Sequence, residues 1–330
     1  MVKAKRKRLG EFALIERYFR PLATAPGAFG LIDDAASYTP SPGEEMVFTV
    51  DTIAAGVHFF PEDPPASISR KALRVNLSDL AAKGAKPVGY LLSLALPGDW
   101  TEDWVKGFAE GLAQDQAEFG FPLLGGDTTR ASGGCTISVT AIGTVPKGGM
   151  VLRSGARPGD VIFVSGTIGD AALGLAVRLG TIATTGEVSR HLTDRYLHPR
   201  PRLALAPAIG RFANSAMDVS DGLVGDLAHI CDASGIGAVI EAANVPLSDE
   251  ARVVISRNDA AMAIALTRGD DYEILATVSP DKASDFAEAA ASAGVPVTPV
   301  GHMLGKKGKP VVLDRNGEPI ELSGLGHEHF

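Results

Sequence analysis

The residues of this chain whose type and spacing could do chemistry are aspartates at the ends of apolar runs. Asp33 and Asp34 sit in the loop LIDDAA, Asp51 ends the run EMVFTV, and Asp127 follows two glycines in LLGGDTT. Asp79 lies on RKALRVNLSDLAAKGA, off the face made by Leu73, Leu77 and Leu80 and one turn from Asn76. Asp218 and Asp221 flank Ser220 in AMDVSDGL, and Asp270 and Asp271 occupy RGDDYE. Each alone reads as a turn former, a helix cap or a solvated carboxylate. As a set they fall at strand ends and adjoining turns, where α/β proteins assemble their sites.

Carboxylates gathered in one place repel one another unless cations neutralise them. Magnesium does so through carboxylates, waters and substrate phosphates. Glycines beside Asp127 and Asp221 would let the backbone approach phosphate oxygens. Phosphoryl transfer rests on positioning and charge neutralisation and needs no covalent nucleophile. The pattern therefore points to Mg-ATP phosphoryl transfer, with metal ions supplying the positive charge that the chain lacks.

That lack is visible in the composition. Over 330 residues the formal net charge is -8, which argues against a general affinity for nucleic acid. Hydrophobic residues make up 45% and charged residues 21%, enough to bury a core, and the length suggests two domains. Cys135 and Cys231 show no zinc or disulfide spacing. No apolar run is long enough to span a membrane. The basic stretch Lys3–Arg8 precedes the amphipathic GEFALIERYF instead of a signal-peptide core and reads as a solvated tail, so a cytoplasmic location is expected. No GxxxxGK[ST] loop, GxGxxG after a strand, HRD or DFG set, GxSxG elbow or HExxH helix is present. GTIGDAALG has the outline of a strand–glycine–helix phosphate turn and equally that of a simple turn cap.

The elements that must position these aspartates follow from periodicity. Phe12, Ile15 and Phe19 predict a short helix stopped by Pro21, and Ser69–Lys83 predicts a second. Thr101 is a candidate N-cap for a third, with TEDW placing acidic residues in its first turn. EMVFTVDT, GYLLSLALP and CTISVTAIGTV read as strands. A stretch dense in Gly, Pro and basic residues, PKGGMVLRSGARPGD, sets the expected domain boundary at 148/149. Beyond it VIFVSG, AMDVS, GAVIEA and EILATV predict strands. DAALGLAVRLG, ALAPAIGRF, LVGDLAHICDAS and KASDFAEAAASAG predict helices. The expectation is two mixed α/β domains in sequence.

The motifs DDAA, DTIAAGVHF, KALRVNLSDLAAKGA, GGDTT, RSGARPGD, DVSDGL and GDDYE, in this order and spacing, resemble the thiamine-monophosphate kinases. Those enzymes share a family with aminoimidazole ribonucleotide synthetase and selenophosphate synthetase, and the resemblance runs over nearly the whole chain. It implies an aminoimidazole-ribonucleotide-synthetase-like architecture, with residues 1–148 as an ATP- and metal-binding dimerisation domain and residues 149–330 completing the active site. It also implies a homodimer and ATP-dependent phosphorylation of thiamine monophosphate to the diphosphate. Carried over by motif, Asp34, Asp51, Asp79, Asp127 and Asp218 would hold magnesium, with oxygen ligands from Thr49 and the Val50 backbone and a further ion at Asp221. Gly126, Asp127, Arg153 and Ser220 would meet ATP; His58, Asp270 and His327 would meet the acceptor. For His58 the competing reading is a strand-end histidine with a purely structural role.

Four positions depart from the family pattern. Ile32 stands for the glycine of GDDAA, Val50 for a frequent Thr, and Asp270 for the Glu of GEDYE. The C-terminal aromatic falls within GHEHF, where His327 holds the expected place and Phe330 is the alternative stacker. Three other activities compete: an aminoimidazole-ribonucleotide-synthetase-like ATP enzyme, a metal-dependent phosphohydrolase activating water with the same carboxylates, and a silent nucleotide-binding scaffold. Selenophosphate synthesis would want a reactive Cys in the N-terminal glycine-rich region, and none precedes Cys135.

Overall fold

The computed structural model describes residues 9–258 and 260–322. Two compact units make up the chain. One holds the described residues up to Asn76 together with Pro87–Thr144; the other holds Leu77–Lys86 and the described residues from Val145 onward.

The first unit opens with α1 (Glu11–Leu14), which continues as a π-turn over Ile15–Phe19 and a 3-10 turn over Arg20–Leu22. The expected short helix is thus present, but it widens over Ile15–Phe19 and tightens through Pro21 to end at Leu22, one residue past the expected stop. Then follow β1 (Glu44–Ala54), α2 (Pro65–Ala82), β2 (Lys86–Leu96), α3 (Glu102–Phe119), β3 (Leu123–Arg130) and β4 (Thr136–Pro146). The sheet order is β1-β4-β2-β3, with β2 and β3 parallel across α3. Thr101 caps α3, its hydroxyl accepting from Trp104 N at 3.2 Å, and Gly120 closes the helix in the left-handed region. The strand β3 lies over LLGGDTTR, a segment whose glycines hide it from propensity rules.

An ion cluster ties α2 to α3. Asp115 is fully buried and accepts from Arg70 Nε at 2.9 Å and from Arg74 Nε and Nη2 at 2.7 and 2.8 Å. Arg74 also reaches Glu118 at 2.9 Å. Leu73, Leu77 and Leu80 are all buried, as the helical spacing on α2 predicts.

The second unit runs β5 (Val161–Ser165), α4 (Asp170–Arg178), α5 (Gly186–Leu197), α6 (Ala206–Phe212), β6 (Ala213–Asp218), α7 (Leu223–Ser234), β7 (Ala238–Glu241), α8 (Asp249–Ile255), α9 (Ala261–Thr267), β8 (Ile274–Val278), α10 (Ala283–Ser292), β9 (Val297–Met303) and β10 (Val311–Leu313). Its sheet has the order β10-β7-β9-β5-β8-β6, antiparallel except for the β10/β7 pair. Alternation along the strands serves two cores. Ile162, Val164, Met217 and Leu275 pack with Leu223, Leu227 and Ile230 of α7 on one face. Phe163, Ala216, Ile274 and Ala276 pack with Ile209 and Phe212 of α6 and Phe286 of α10 on the other. A sheet covered on both faces needs continuous apolar strands, which is why VIFVS and ILATV carry almost no polar residues.

Candidate active site

In the first unit β1 alternates: Phe48, Val50 and Thr52 are exposed, while Val47 and Ile53 are buried with Thr49 and Asp51 between them half-buried. The Asp51 N–H donates to Asn76 Oδ1 at 3.0 Å, and the fully buried Asn76 donates in turn to Ala72 O at 3.0 Å. Asn76 thus fixes the backbone beside one expected metal ligand, a role the sequence reading gave it no part in; its signal was an Asn on a helix whose neighbours are all buried. The Val50 side chain faces outward, which leaves only its backbone carbonyl as a possible ligand.

Asp33 and Asp34 line a cavity of about 730 Å³ together with Gly126 and Asp127 of β3, and Phe19, Met46, Phe48 and Ile142 are among its apolar walls. Phe29, Gly30 and Leu31 lead into the DDAA loop in left-handed conformation, but Ile32 has φ -104°, so the residue standing for glycine sits there without strain. At Gly126 a β-carbon would lie 1.9 Å from Leu92 O, its partner residue on β2. This glycine serves the approach of two strands of the protein's own sheet.

His58 sits in the turn after β1. Its Nδ1 accepts from Ala54 N at 3.1 Å and its carbonyl accepts from Lys71 Nζ at 3.0 Å. With Nδ1 accepting, the neutral ring carries its proton on Nε2. His58 therefore has a structural duty in this turn.

In the second unit Asp218 ends β6 and is 4% exposed. Lys83 donates to Ala216 O at 2.8 Å; burial lowers its pKa, as does the Arg153 charge, against the opposing pull of Asp218 and Asp79. The charges of Asp79, Asp218 and Arg153 are thus all felt at the Lys83 ammonium, a residue that the motifs do not single out. After Asp218 the chain turns through Ser220, Asp221 and Gly222 into α7. Asp226, fully buried in the first turn of α7, accepts from the N–H groups of Asp221 and Gly222 at 3.0 and 3.1 Å. Burial, then the Asp221 charge, push its carboxyl up to about 7. Asp221, Asp226 and His229 have ligand atoms within 4.8 Å of one another.

The GDDYE loop lies along this turn. Asp270 N donates to Ser220 O at 2.9 Å and Tyr272 N to Val219 O at 2.8 Å. The GTIGDAALG turn is filled from within the protein: Asp271 accepts from Gly169 N at 2.6 Å and Ala171 N at 3.2 Å, so the start of α4 is capped by a carboxylate where a phosphate turn would leave it open.

The structure thus joins Asp34, Gly126 and Asp127 on one cavity and Ser220, Asp221 and Asp270 through adjoining backbones, and the charges of Asp79, Asp218 and Arg153 act on Lys83. Thr49, Val50, Asp51 and His58 follow one another along β1 and the turn after it, and none of them lines the 730 Å³ cavity. His327 and Phe330 lie outside the described residues.

Comparison with known proteins adds a second line of evidence. Residues 32–145 match the AIR synthase related protein N-terminal domain and residues 157–314 the corresponding C-terminal domain. Thiamine-monophosphate kinase of Caulobacter vibrioides is 41% identical over 97% of this chain and 90% of its own length. The crystal structure of thiamine-monophosphate kinase from Stenotrophomonas maltophilia K279a superposes with a TM-score of 0.83 at 40% identity, covering 94% of this chain and 98% of that one. AaThiL, solved in complex with AMPPCP and TMP, superposes with a TM-score of 0.76 at 30% identity over 98% of this chain and all of that one. With both AIR synthase related domains in order and relatives of this identity along its length, the chain belongs to the thiamine-monophosphate kinase family.

Proposed function

We propose that this protein phosphorylates thiamine monophosphate with ATP, giving thiamine diphosphate and ADP by direct transfer of the γ-phosphoryl group. The observation that carries the reading is the relative solved with AMPPCP and TMP, whose chain this one matches over 98% of its own length. The chemistry of the site agrees with it. Its candidate ligands are carboxylates at strand ends and turns, together with backbone and hydroxyl oxygens, and no activated nucleophile stands among them.

An all-oxygen donor set fits magnesium. Asp34, Asp51, Asp79, Asp127, Asp218 and Asp221 would hold the ions, with Thr49 and the Val50 carbonyl. Bound there, magnesium would neutralise the charge of the phosphates. Arg153 and Ser220 would bind ATP, with Gly126 lining the nucleotide pocket beside Asp127. His58 through its Nε2 proton, Asp270 and His327 would orient the acceptor. In this reading residues 1–148 form the nucleotide- and metal-binding domain and residues 149–330 complete the site.

A homodimer is part of the proposal. Phe48 and Val50 project from β1, an edge strand of its sheet, at 64% and 59% exposure. An apolar edge of this kind is normally covered. No described helix is long and apolar enough to cross a membrane, and a cytoplasmic site of action fits this chemistry.

The test is a coupled assay with ATP, magnesium and thiamine monophosphate. ADP and thiamine diphosphate should appear one for one. ADP without thiamine diphosphate would replace the kinase with a phosphohydrolase, and nucleotide binding without turnover would leave a scaffold.

A further inference from the structure

We propose that Asp271 and Glu273, the buried half of the GDDYE motif, are positioning residues that hold Asp270 at the acceptor. The inference rests on the assignment of Asp270 to thiamine monophosphate. Its own basis is the way the motif splits between two environments.

Asp271 and Glu273 are at most 1% exposed, whereas Asp270 and Tyr272 are only partly covered. An ordinary extended segment could place alternate side chains in and out at no conformational cost. Here the backbone does it differently: Asp270 has φ +78° and Tyr272 has φ +52°. Left-handed conformations are disfavoured for residues with a side chain, and Asp tolerates them better than most. The Asp that stands in this chain for the family's Glu therefore suits the geometry of its own backbone. Such a conformation persists only when its surroundings enforce it.

The surroundings are specific. Asp271 spans two backbone donors at the start of α4, taking Gly169 N on one oxygen and Ala171 N on the other. Glu273 accepts a two-pronged contact from Arg202, Nε at 2.6 Å and Nη2 at 2.5 Å, and a third bond from Arg195 Nη2 at 3.0 Å. Ser165 Oγ donates to Glu273 at 2.6 Å and accepts from Ile274 N at 2.8 Å, which anchors the end of the loop to β5. Gly166 has no room for a side chain, because a β-carbon there would lie 2.2 Å from Glu273 Oε1. On the opposite side Gly269 is pressed against the Ser220 carbonyl, where a β-carbon would fall 1.7 Å from the oxygen.

The loop is thus gripped from below by two buried carboxylates and from the side by the DVSDGL turn. Burying two carboxylates is expensive, and well-packed apolar residues often serve stability as well or better. What an apolar pair could not do is fix, through directed bonds, the chain that follows Asp270, whose own N–H is held by Ser220 O. The same grip holds the acceptor loop in register with the turn that carries Ser220 and Asp221.

The experiment compares Asp271→Asn and Glu273→Gln with Asp270→Ala. Phe286→Leu, in the α10 core against Phe163 and Phe212, is the control for loss of stability. The readouts are KM for thiamine monophosphate, the affinity for an ATP analogue and the melting temperature. Removing a supporting group typically costs about 10- to 100-fold in the function it supports, so KM for thiamine monophosphate should rise about tenfold or more in both buried variants. Affinity for the ATP analogue should stay within about twofold, and Phe286→Leu should lower the melting temperature without moving KM. If one buried variant fails to fold, the other carries the test. A KM unchanged in the buried variants while Asp270→Ala raises it would overturn the positioning role and leave Asp270 at the acceptor. An equal rise in Phe286→Leu would also overturn it, as generic loosening. No effect of Asp270→Ala would remove the acceptor assignment and this inference with it.

Discussion

Gly126→Ala separates two reasons for a glycine beside Asp127. One is that the backbone must approach a phosphate; the other is that it must approach β2. The added methyl would sit 1.9 Å from Leu92 O and 2.8 Å from Leu92 C, whereas real contacts begin near 3.0 Å. β3 must therefore withdraw by roughly an ångström where Leu92 pairs with Gly126 and Ser93 with Asp127. Losing one or two ladder hydrogen bonds at about 1 kcal/mol each, plus about 1–3 kcal/mol of overpacking, gives a destabilisation of about 2–5 kcal/mol. A domain with a typical 5–15 kcal/mol of stability survives that.

Activity should suffer more, because Asp127 moves with the strand and a misplacement of about 1 Å can cost on the order of 100-fold. Gly125→Ala is the internal comparison: its methyl would meet Leu91 Cδ2 at 3.4 Å, an ordinary contact. Kinase turnover and thermal melts on both variants decide the matter. Gly126→Ala should lose turnover and melting temperature together while Gly125→Ala stays close to wild type. Wild-type activity in Gly126→Ala would refute the geometry. Equal loss of activity in both, with unchanged melts, would favour phosphate approach.

Other perturbations have equally definite outcomes. Asp127→Asn should abolish turnover while the melting temperature holds; near-normal activity at saturating magnesium would remove Asp127 from the metal set. His58→Ala should chiefly raise KM for thiamine monophosphate and spare ATP binding, with a small loss of stability from the freed Ala54 N–H, about 1 kcal/mol; equal loss of both substrates would make His58 purely structural. Asp115→Ala leaves Arg70 and the buried Arg74 with the half-exposed Glu118 as their remaining carboxylate and should cost about 3 kcal/mol, read as a denaturation midpoint. For Asp226 the folded carboxyl titrates near 7 and the unfolded one near 4. Between those values the unfolded chain releases a proton that the folded chain keeps, so stability measured in chelator should fall as pH rises from about 4 to about 7, by up to about 4 kcal/mol, and stay low above. Asp226→Asn should flatten that slope; an unchanged slope would place the titration elsewhere.

What the sequence could reveal, and what it could not, follows from the range of each interaction. The elements with a strong apolar period were legible because burial imposes it locally, as in Leu73, Leu77 and Leu80 or in VIFVS, whereas α5, α8, α9, β9 and β10 were not foreseen. β3 was not, because LLGGDTTR is a strand only by virtue of its pairing with β2, and its Gly126 is explained by Leu92 O, more than 30 residues away in sequence. The aspartates of the motifs could be picked out by type, but their supports could not. Asn76 behind Asp51, Lys83 beside Asp218 and Asp226 behind Asp221 all look like ordinary helix residues until the fold brings them to a backbone or a charge.

The same logic redistributes the meaning of the motifs. Gly222 would place a β-carbon 2.7 Å from Thr267 C, so the glycine of DVSDGL makes room for the chain leading into GDDYE, as Gly269 makes room for Ser220. Two motifs about 50 residues apart in sequence therefore share one constraint: neither glycine can be replaced without displacing the other motif's backbone. The DVSDGL turn and the GDDYE motif are one interlocked pair, and Asp270 owes its position to Asp271 and Glu273 as much as to the turn beside it. Chemistry chose the aspartates that face outward, and the buried residues between them are what make that outward face a fixed one.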